Sequence, residues 1–184
     1  MRGSNSNRDR NFKISFSIIR FMHDNWLLRQ LVDSAALLRS LGLKDGDTVF
    51  EVGCGPGFYT MGAAKVTGSE GTVYAYDVNP YAIRYVRRKV KNAGFDNVKV
   101  ENKTATDTGL PDASIDFAFV VGVPHIVGGA QCLLDEIARV VKQGGLLAYR
   151  PSRGNKDQLI NDTKHRRFNL ECKKNRFLIF RKAI

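Results

Sequence analysis

The chain has 184 residues, and its 29 basic and 18 acidic side chains give it a formal net charge of +11. This length suits one domain with a sizeable core, and no apolar stretch approaches the ~18–20 residues that would cross a bilayer. The three cysteines, Cys54, Cys132 and Cys172, and the three histidines are scattered, which argues against a disulfide framework or a metal site and favours a reducing, cytoplasmic environment.

The N-terminal part of the chain divides into two segments. Residues 1–11 are polar and rich in glycine, serine and asparagine, so we expect them to be disordered, and their first four residues resemble an expression-vector remnant. Residues 12–42 are expected to form a helical cover, because Trp26 and the apolar residues after it recur at helical spacing. We expect residues 12–184 to form a single domain.

The most informative stretch comes next, where an apolar run with one acid meets three regularly spaced glycines. Residues 49–52, with Glu51 among them, predict a buried parallel strand. The glycines Gly53, Gly55 and Gly57 let the backbone turn sharply and leave no side chain between it and a ligand. A strand, a glycine turn and a helix in this order hold nucleotide-type ligands in doubly wound α/β folds.

The glycine spacing separates two classes of nucleotide ligand. The dinucleotide fingerprint carries a glycine where this chain has Phe58, and Phe58 would obstruct the close helix–strand packing that such a glycine permits. Glu51 would repel a pyrophosphate and attract an ammonium group, although it would alternatively cap the following helix or pair with Arg150. The sequence therefore predicts a nucleoside-like ligand with a positive tail, and S-adenosylmethionine is such a molecule.

Further elements alternate along the rest of the chain. Strands are predicted at residues 72–77, where Asp77 ends the strand, and around 98–100, with a helix at 80–93 between them. Residues 110–117 lead into a fourth strand, and a helix, a turn and a fifth strand occupy 133–149. A short helix at 156–164 and a hairpin at 168–182 complete the chain.

In this order the motifs resemble those of the class I S-adenosylmethionine-dependent methyltransferases, and in particular the ubiquinone/menaquinone-type (type 11) group. The resemblance covers residues 37–150 and rests on the acid-x-Gly-x-Gly-x-Gly motif, on Asp77, on Leu110-Pro111 and on the turn Lys142-Gln143-Gly144-Gly145. It implies an α/β fold with a Rossmann-like, doubly wound sheet of about seven mostly parallel strands, helices on both faces and a C-terminal antiparallel hairpin strand. Residues 43–150 would be the cofactor-binding core.

The resemblance also implies S-adenosyl-L-methionine as the cofactor and a set of residues that bind it. In the family, the acid at the end of the second strand accepts hydrogen bonds from both ribose hydroxyls, and Asp77 occupies that position. The expected cofactor-binding residues are Glu51, Gly53, Cys54, Gly55, Gly57, Asp77, Val78, Thr104, Ala105 and Val121. No metal ligand is expected.

One position departs from the family pattern. Thr104-Ala105 stands where relatives carry an Asp-Ala pair whose carboxylate contacts the adenine amino group. Three alternatives stay open, of which a backbone N–H contact from Ala105 is favoured; the others are a neutral contact from Thr104 and a shifted loop that brings Asp107 to the adenine. Because a charge-assisted hydrogen bond is roughly twice as strong as a neutral one, the departure predicts modest cofactor affinity.

The chemistry asks little of the protein, because the sulfonium carbon is already a strong electrophile and the enzyme supplies alignment and water exclusion. His125 follows the fourth strand on the edge where open α/β sheets bind ligands, so it is the candidate catalytic base, with a loop-capping role as the alternative. Residues 12–26 would either form part of the acceptor pocket or simply cover the sheet.

The methyl acceptor is expected to be a small or amphiphilic molecule. The Asn-Pro-Pro-Tyr-type motif of base and glutamine methyltransferases is absent, because the fourth strand ends in Val121-Gly122-Val123-Pro124. The positive charge keeps RNA open as an alternative acceptor, although the RNA-binding modules that basic enzymes often carry are missing. Cofactor binding without catalysis is a further alternative, and the sequence leaves the oligomeric state open.

Overall fold

The computed structural model describes residues 33–151 and 156–184, together with the isolated positions 13 and 17. The helices in these ranges are α1 (Ser34–Ser40), α2 (Phe58–Thr67), α3 (Pro80–Asn92), α4 (Gly129–Val140) and α5 (Lys156–Lys164). The strands are β1 (Thr48–Val52), β2 (Thr72–Tyr76), β3 (Val98–Glu101), β4 (Ile115–Val121), β5 (Val141–Arg150), β6 (Phe168–Lys174) and β7 (Phe177–Lys182). The predicted disordered residues 1–11 and the predicted acceptor-pocket segment at 12–26 lie outside the described ranges. Of the helical cover predicted at 12–42, the part from residue 33 onward is described, and it contains α1.

All of these strands join one sheet in the order β3-β2-β1-β4-β5-β7-β6. β1 to β5 pair in parallel, whereas β7 pairs antiparallel with both β5 and β6. The β6–β7 turn places Asn175 and Arg176 at positive φ values of 49° and 68°, as the favoured two-residue hairpin turns require. The predicted doubly wound sheet with a C-terminal antiparallel hairpin strand is confirmed.

Helices cover both faces of this sheet. On one face α4 packs its buried Leu133 and Ile137 against Phe50 of β1, and on the other face α1 and α2 pack against Val49. Successive strand residues point to opposite faces, so Glu51 points to the face of α1 and α2. It is 2% exposed, which places an acid inside the core near the end of β1.

Helix α3 forms as the sequence predicts. Pro80 stands in its first turn, and the side chain of Asn79 caps it by accepting a hydrogen bond from the N–H of Tyr81 at 2.9 Å. Its apolar side faces the sheet through three buried residues, Ile83, Val86 and Val90. The helix ends at Asn92. It lies beside the glycine turn that follows β1, because the ammonium group of Lys89 donates to the carbonyl of Pro56 in that turn at 2.9 Å.

The connection between β3 and β4, residues 102–114, contains no helix. Glu136 of α4 holds it in place by accepting hydrogen bonds from the N–H and the hydroxyl of Thr108, at 2.8 and 2.5 Å. Arg139 beside this carboxylate, together with Thr108, lowers the pKa of Glu136 to about 2. The loop that carries Thr104 and Ala105 is thus fastened to α4 by a carboxylate that stays ionised.

Close packing between α1 and α2 depends on Gly62. A Cβ at this position would lie 2.5 Å from the hydroxyl oxygen of Ser34 and 2.9 Å from the backbone nitrogen of Ala35. We therefore expect Gly62→Ala to destabilise the fold by about 1–3 kcal/mol through overpacking, measured by urea denaturation. Lys65→Ala, on the exposed side of the same helix, is the matched control. Since alanine is intrinsically the better helix former, a stabilised Gly62→Ala variant would contradict the close packing.

Candidate active site

A cavity of about 400 Å³ lies at the carboxyl ends of β1, β2, β4 and β5. The strand order reverses between β1 and β4, and open α/β sheets bind their ligands at such a switch point. The volume lies in the range of small-molecule sites. The cavity collects residues that are far apart in sequence, from Glu51 on β1 to Arg150 at the end of β5.

The cavity brings together most of the residues that the sequence predicts for it. Its lining includes Glu51, Gly53, Cys54, Gly55, Asp77, Val78, Thr104, Ala105, Val121 and His125. Gly57 does not line the cavity. It is the N-cap residue directly before α2, with a φ of 74°. A Cβ at this position would lie 2.9 Å from a methyl carbon of Val86. Gly57 therefore permits the packing of the glycine turn on α3, and the regular spacing of the glycines does not reveal this difference.

Asp77 holds the glycine turn against the end of β2. One carboxylate oxygen accepts the N–H of Gly55 at 2.8 Å, and the other accepts the N–H of Asn79 at 2.8 Å. Each oxygen keeps a second lone pair for a ligand hydroxyl, because an ionised carboxylate offers about four acceptor sites. Burial raises the pKa of Asp77, and the hydrogen bonds from the N–H groups of Asn79 and Gly55 are among the backbone contacts that oppose this effect. The carboxylate is thus oriented for a ligand before any ligand arrives.

Glu51 lies deeper in the cavity. The hydroxyl of Thr60 donates to one of its carboxylate oxygens at 2.5 Å. Burial raises the pKa of Glu51 to about 8, with a further contribution from Asp77. Near neutral pH the ligand-free side chain is therefore mostly protonated, and a cationic ligand group would favour its ionised form. Among the described residues Glu51 forms no ion pair with Arg150.

The β3–β4 loop forms the wall beyond β2. Thr104 and Ala105 line the cavity, whereas Asp107 is exposed and is absent from the lining. The hydroxyl of Thr104 lies 2.8 Å from that of Thr106 and also accepts the N–H of Thr106 at 3.3 Å. Of the three alternatives for the adenine contact, this geometry favours Thr104 and Ala105 over Asp107.

The opposite wall lies at the ends of β4 and β5. Exposed His125 follows β4, and Arg150 ends β5. The ring of Tyr59 packs edge-on against Phe58 and Phe119, with centroid distances of 5.0 and 6.2 Å. Sequence reasoning did not predict Tyr59, Phe58 or Arg150 as site residues. Their position at a strand end or in the first turn of α2 is the signal that would have indicated them.

The described residues were predicted to lack a metal site and a membrane span, and their cysteines were predicted to be unpaired. Within the described part of the chain, no group of three or more histidine, cysteine or acidic side chains could hold a metal ion. None of its helices is long and apolar enough to span a bilayer. All three cysteines are free thiols, and Cys54 is the buried one. Burial raises the pKa of the Cys54 thiol, which does not favour a nucleophilic role for it.

The fold and this cavity define a class I S-adenosylmethionine-dependent methyltransferase. Residues 43–181 match a family model described as a methyltransferase domain, and the chain belongs to that family. A crystal structure of a SAM-dependent methyltransferase from Aquifex aeolicus is similar over 91% of this chain and 98% of its own, with a TM-score of 0.78 and 26% identity. The cofactor of the family is S-adenosylmethionine, as the sequence predicts.

Two curated relatives cover part of the chain. Demethylmenaquinone methyltransferase of Geobacillus stearothermophilus is 30% identical over 60% of this chain and 47% of its own length. Aklanonic acid methyltransferase of a Streptomyces species is 30% identical over 56% of this chain and 47% of its own. The chain thus spans about half the length of these relatives. The similarity therefore supports the shared cofactor domain.

Proposed function

We propose that this chain transfers the methyl group of S-adenosylmethionine to a small or amphiphilic acceptor by direct displacement at the sulfonium carbon. The observation that carries the proposal is the position of Glu51 and Asp77 in one cavity, on either side of the glycine turn. A carboxylate at each position matches the two ends of the cofactor, since one can hold an ammonium group and the other two ribose hydroxyls. Two carboxylates on either side of the glycine turn therefore suit a nucleoside with a cationic tail.

The remaining site residues take roles that follow from their positions. Gly53 and Gly55 bring the backbone close to the cofactor, and Cys54 and Val78 form part of the surface around it. Thr104 and Ala105 contact the adenine, and Val121 lies at the end of β4, where the methyl group leaves for the acceptor. His125 acts as general base when the acceptor must lose a proton before it attacks.

A small or amphiphilic acceptor suits the surface around the cavity. Among the described residues, the large apolar side chains with substantial exposure include Val78 at 38% and Val127 at 44%, and both line the cavity. An apolar rim beside a few polar groups is typical of small-molecule sites. The two relatives are named for demethylmenaquinone and aklanonic acid, which supports the same class of acceptor.

Methyl transfer from labelled cofactor into separated cell fractions tests the proposal. The lipid, RNA, protein and small-molecule fractions of an extract are incubated with the protein and S-adenosylmethionine that carries a labelled methyl group. We expect label in the lipid or small-molecule fraction, and much less label, at a cofactor concentration below saturation, with a variant that lacks the Asp77 carboxylate. Cofactor binding without transfer into any fraction would favour the alternative of a non-catalytic S-adenosylmethionine-binding protein.

RNA stays the second candidate acceptor because of the basic surface of α3. Its arginines are not all freely solvated, since Arg87 donates twice to the backbone carbonyl of Val100, at 3.0 and 2.8 Å. Arg84 and Arg88 lie over the rings of Tyr81 and Tyr85, at 4.5 and 5.7 Å from their centroids. Neutralising Arg87 would therefore disturb packing as well as charge, so it is unsuitable for testing the surface.

We expect the triple variant Arg84→Gln, Arg88→Gln, Lys91→Gln to leave turnover of a small acceptor within about twofold, because exposed cation–π pairs contribute only ~0.5–1 kcal/mol. Lys173→Gln with Arg176→Gln probes the tail hairpin in the same assay. If RNA were the acceptor, its affinity for the wild type would fall with salt at a log–log slope near −0.7 per phosphate contact. Loss of methyl transfer to RNA in either variant, with cofactor binding retained, would favour the RNA alternative.

The single domain of residues 12–184 and the cytoplasmic location remain proposals. The first is supported by one continuous sheet that runs from β1 to β7. The second is supported by three free cysteines, two of them exposed, since exposed thiols persist in reducing compartments.

A further inference from the structure

The end of the cavity that carries the positively charged Arg150 has no ligand group assigned to it so far. Arg150 is the last residue of β5 and pairs in register with Val121 of β4. Its guanidinium carbon lies 5.4 Å from the centroid of the Phe177 ring, and the side chain is half-buried. A guanidinium stacked on an aromatic face loses little further freedom when it binds a planar anion. Arg150 is thus held in place at the cavity wall.

Arg150 differs from several other arginines of this fold in its ion pairing. Arg139, Arg166 and Arg181 each form an ion pair with an acidic side chain. Among the described residues, no carboxylate forms an ion pair with Arg150. A half-buried cation on a cavity wall without an ion-pair partner favours an anionic ligand group.

Tyr59 stands between the two charged ends of the cavity. Burial raises the pKa of Tyr59, and the negative charge of Glu51 adds to this effect. The positive charge of Arg150 and a hydrogen bond with it act in the opposite direction. The hydroxyl therefore remains protonated near neutral pH and is available as a donor beside the guanidinium. Together the two side chains offer a fork of N–H donors and one O–H donor.

We propose that Arg150 and Tyr59 form a carboxylate-binding pair in the cavity. The inference rests on the proposed function, because the same cavity holds the cofactor. One guanidinium and one phenol match the single charge and planar shape of a carboxylate. A phosphate dianion would meet only one compensating cation there and would lie near the acids of the cofactor end.

Two sources of the carboxylate fit this position. The first is the methionine tail of the cofactor, whose ammonium group would lie on Glu51. Glu51 pairs with Phe119, which pairs with Ala148, and Arg150 follows two residues later on the same face. With strands ~4.8 Å apart and a rise of ~3.3 Å per residue, the two backbones are roughly 12 Å apart, a gap that the two side chains can close around one amino-acid tail. The second source is an acidic group on the acceptor.

Calorimetry with matched ligands and variants distinguishes the two sources. The variants are Arg150→Gln and Arg150→Lys, and Arg84→Gln, outside the cavity lining, is the control. The ligands are S-adenosylhomocysteine and its decarboxylated analogue, which differ only in the carboxylate. If the cofactor tail is the source, Arg150→Gln weakens S-adenosylhomocysteine at least about tenfold and leaves the analogue unchanged, with Arg150→Lys in between. Arg84→Gln changes neither ligand.

If the acceptor is the source, Arg150→Gln leaves S-adenosylhomocysteine unchanged. Benzoate then binds the wild-type protein saturated with S-adenosylhomocysteine, and Arg150→Gln weakens it at least about tenfold. Tyr59→Phe keeps the ring, removes only the hydroxyl and should weaken the same ligand as Arg150→Gln, so it provides the test if Arg150→Gln fails to fold. Unchanged binding of both S-adenosylhomocysteine and benzoate in the folded variants would overturn the inference. Failure of the proposed function is distinguishable, because the wild type itself would then either not bind S-adenosylhomocysteine or transfer no label into any cell fraction.

Discussion

Asp77→Ala is expected to weaken the binding of S-adenosylmethionine and S-adenosylhomocysteine by at least tenfold, and by more than about a hundredfold if both ribose hydrogen bonds are lost at full strength. The carboxylate would make two charge-assisted hydrogen bonds to the ribose, each worth roughly 1.5–3 kcal/mol at most. The same carboxylate also accepts the N–H groups of Gly55 and Asn79, so its removal loosens the glycine turn as well. Calorimetry gives the dissociation constants, and circular dichroism should show that the fold persists.

Asp107→Ala is the matched control for this experiment. Asp107 is an exposed acid outside the cavity lining, on the loop that carries Thr104. We expect its replacement to leave cofactor affinity unchanged, whereas a tenfold loss would show that Asp107 contacts the adenine after all. Unchanged affinity in Asp77→Ala would contradict the placement of the ribose at the end of β2.

Glu51→Gln is expected to remove the rise of cofactor affinity with pH below about pH 8. With the pKa of ligand-free Glu51 raised to about 8, the side chain must lose its proton to pair with the cofactor ammonium. Wild-type affinity should therefore rise with pH by up to roughly tenfold per unit below pH ~8. It should stop rising near there, because the α-amino group deprotonates with a pKa of about 7.7–8.0. Calorimetry in buffers of different ionisation enthalpy should show proton release for the wild type near neutral pH and much less for Glu51→Gln.

The same group has the opposite effect on the stability of the ligand-free protein. The pKa of Glu51 is higher in the folded state than its usual value of 4.5, so the folded protein binds more protons than the unfolded chain between these two pH values. Stability therefore falls as pH rises through this window, and a neutral glutamine avoids the loss. We expect Glu51→Gln to be more stable than the wild type at about pH 8, by roughly 3–5 kcal/mol, and similar near pH ~4. An equally stable variant at the higher pH would contradict a protonated, buried Glu51.

The fold was largely predictable because its signals are local. Three short sequence patterns each indicate one element without any long-range contact. They are the apolar run before the glycines, Pro80 directly after Asn79, and the alternating tail around Asn175. The predicted bounds of α5 agree with the observed Lys156–Lys164. Parallel pairing then follows, because strands alternate with helices along the chain.

Site residues that belong to a sequence motif could be predicted. Site residues that reach the cavity only through tertiary packing could not. Glu51 and Asp77 reach the cavity because Glu51 lies near the carboxyl end of the parallel strand β1 and Asp77 directly follows the parallel strand β2. Gly57 was placed with the other glycines although it packs against α3, which only the fold reveals. Arg150 carries no motif, and its relation to Tyr59 depends on the approach of β5 to the first turn of α2. Similarly, Arg87 belongs to a basic run in sequence but bonds to β3 in the structure.

Comparing the affinities of three nucleotide-type ligands shows whether the cavity selects a nucleoside with a cationic amino-acid tail. Calorimetry with S-adenosylhomocysteine, S-adenosylmethionine and NAD on the wild-type chain gives the three affinities under one condition. Glu51 near the glycine turn and Phe58 at the position of the missing glycine both disfavour a pyrophosphate. We expect both adenosyl ligands to bind at least about tenfold more tightly than NAD. NAD binding as tight as either of them would contradict the account.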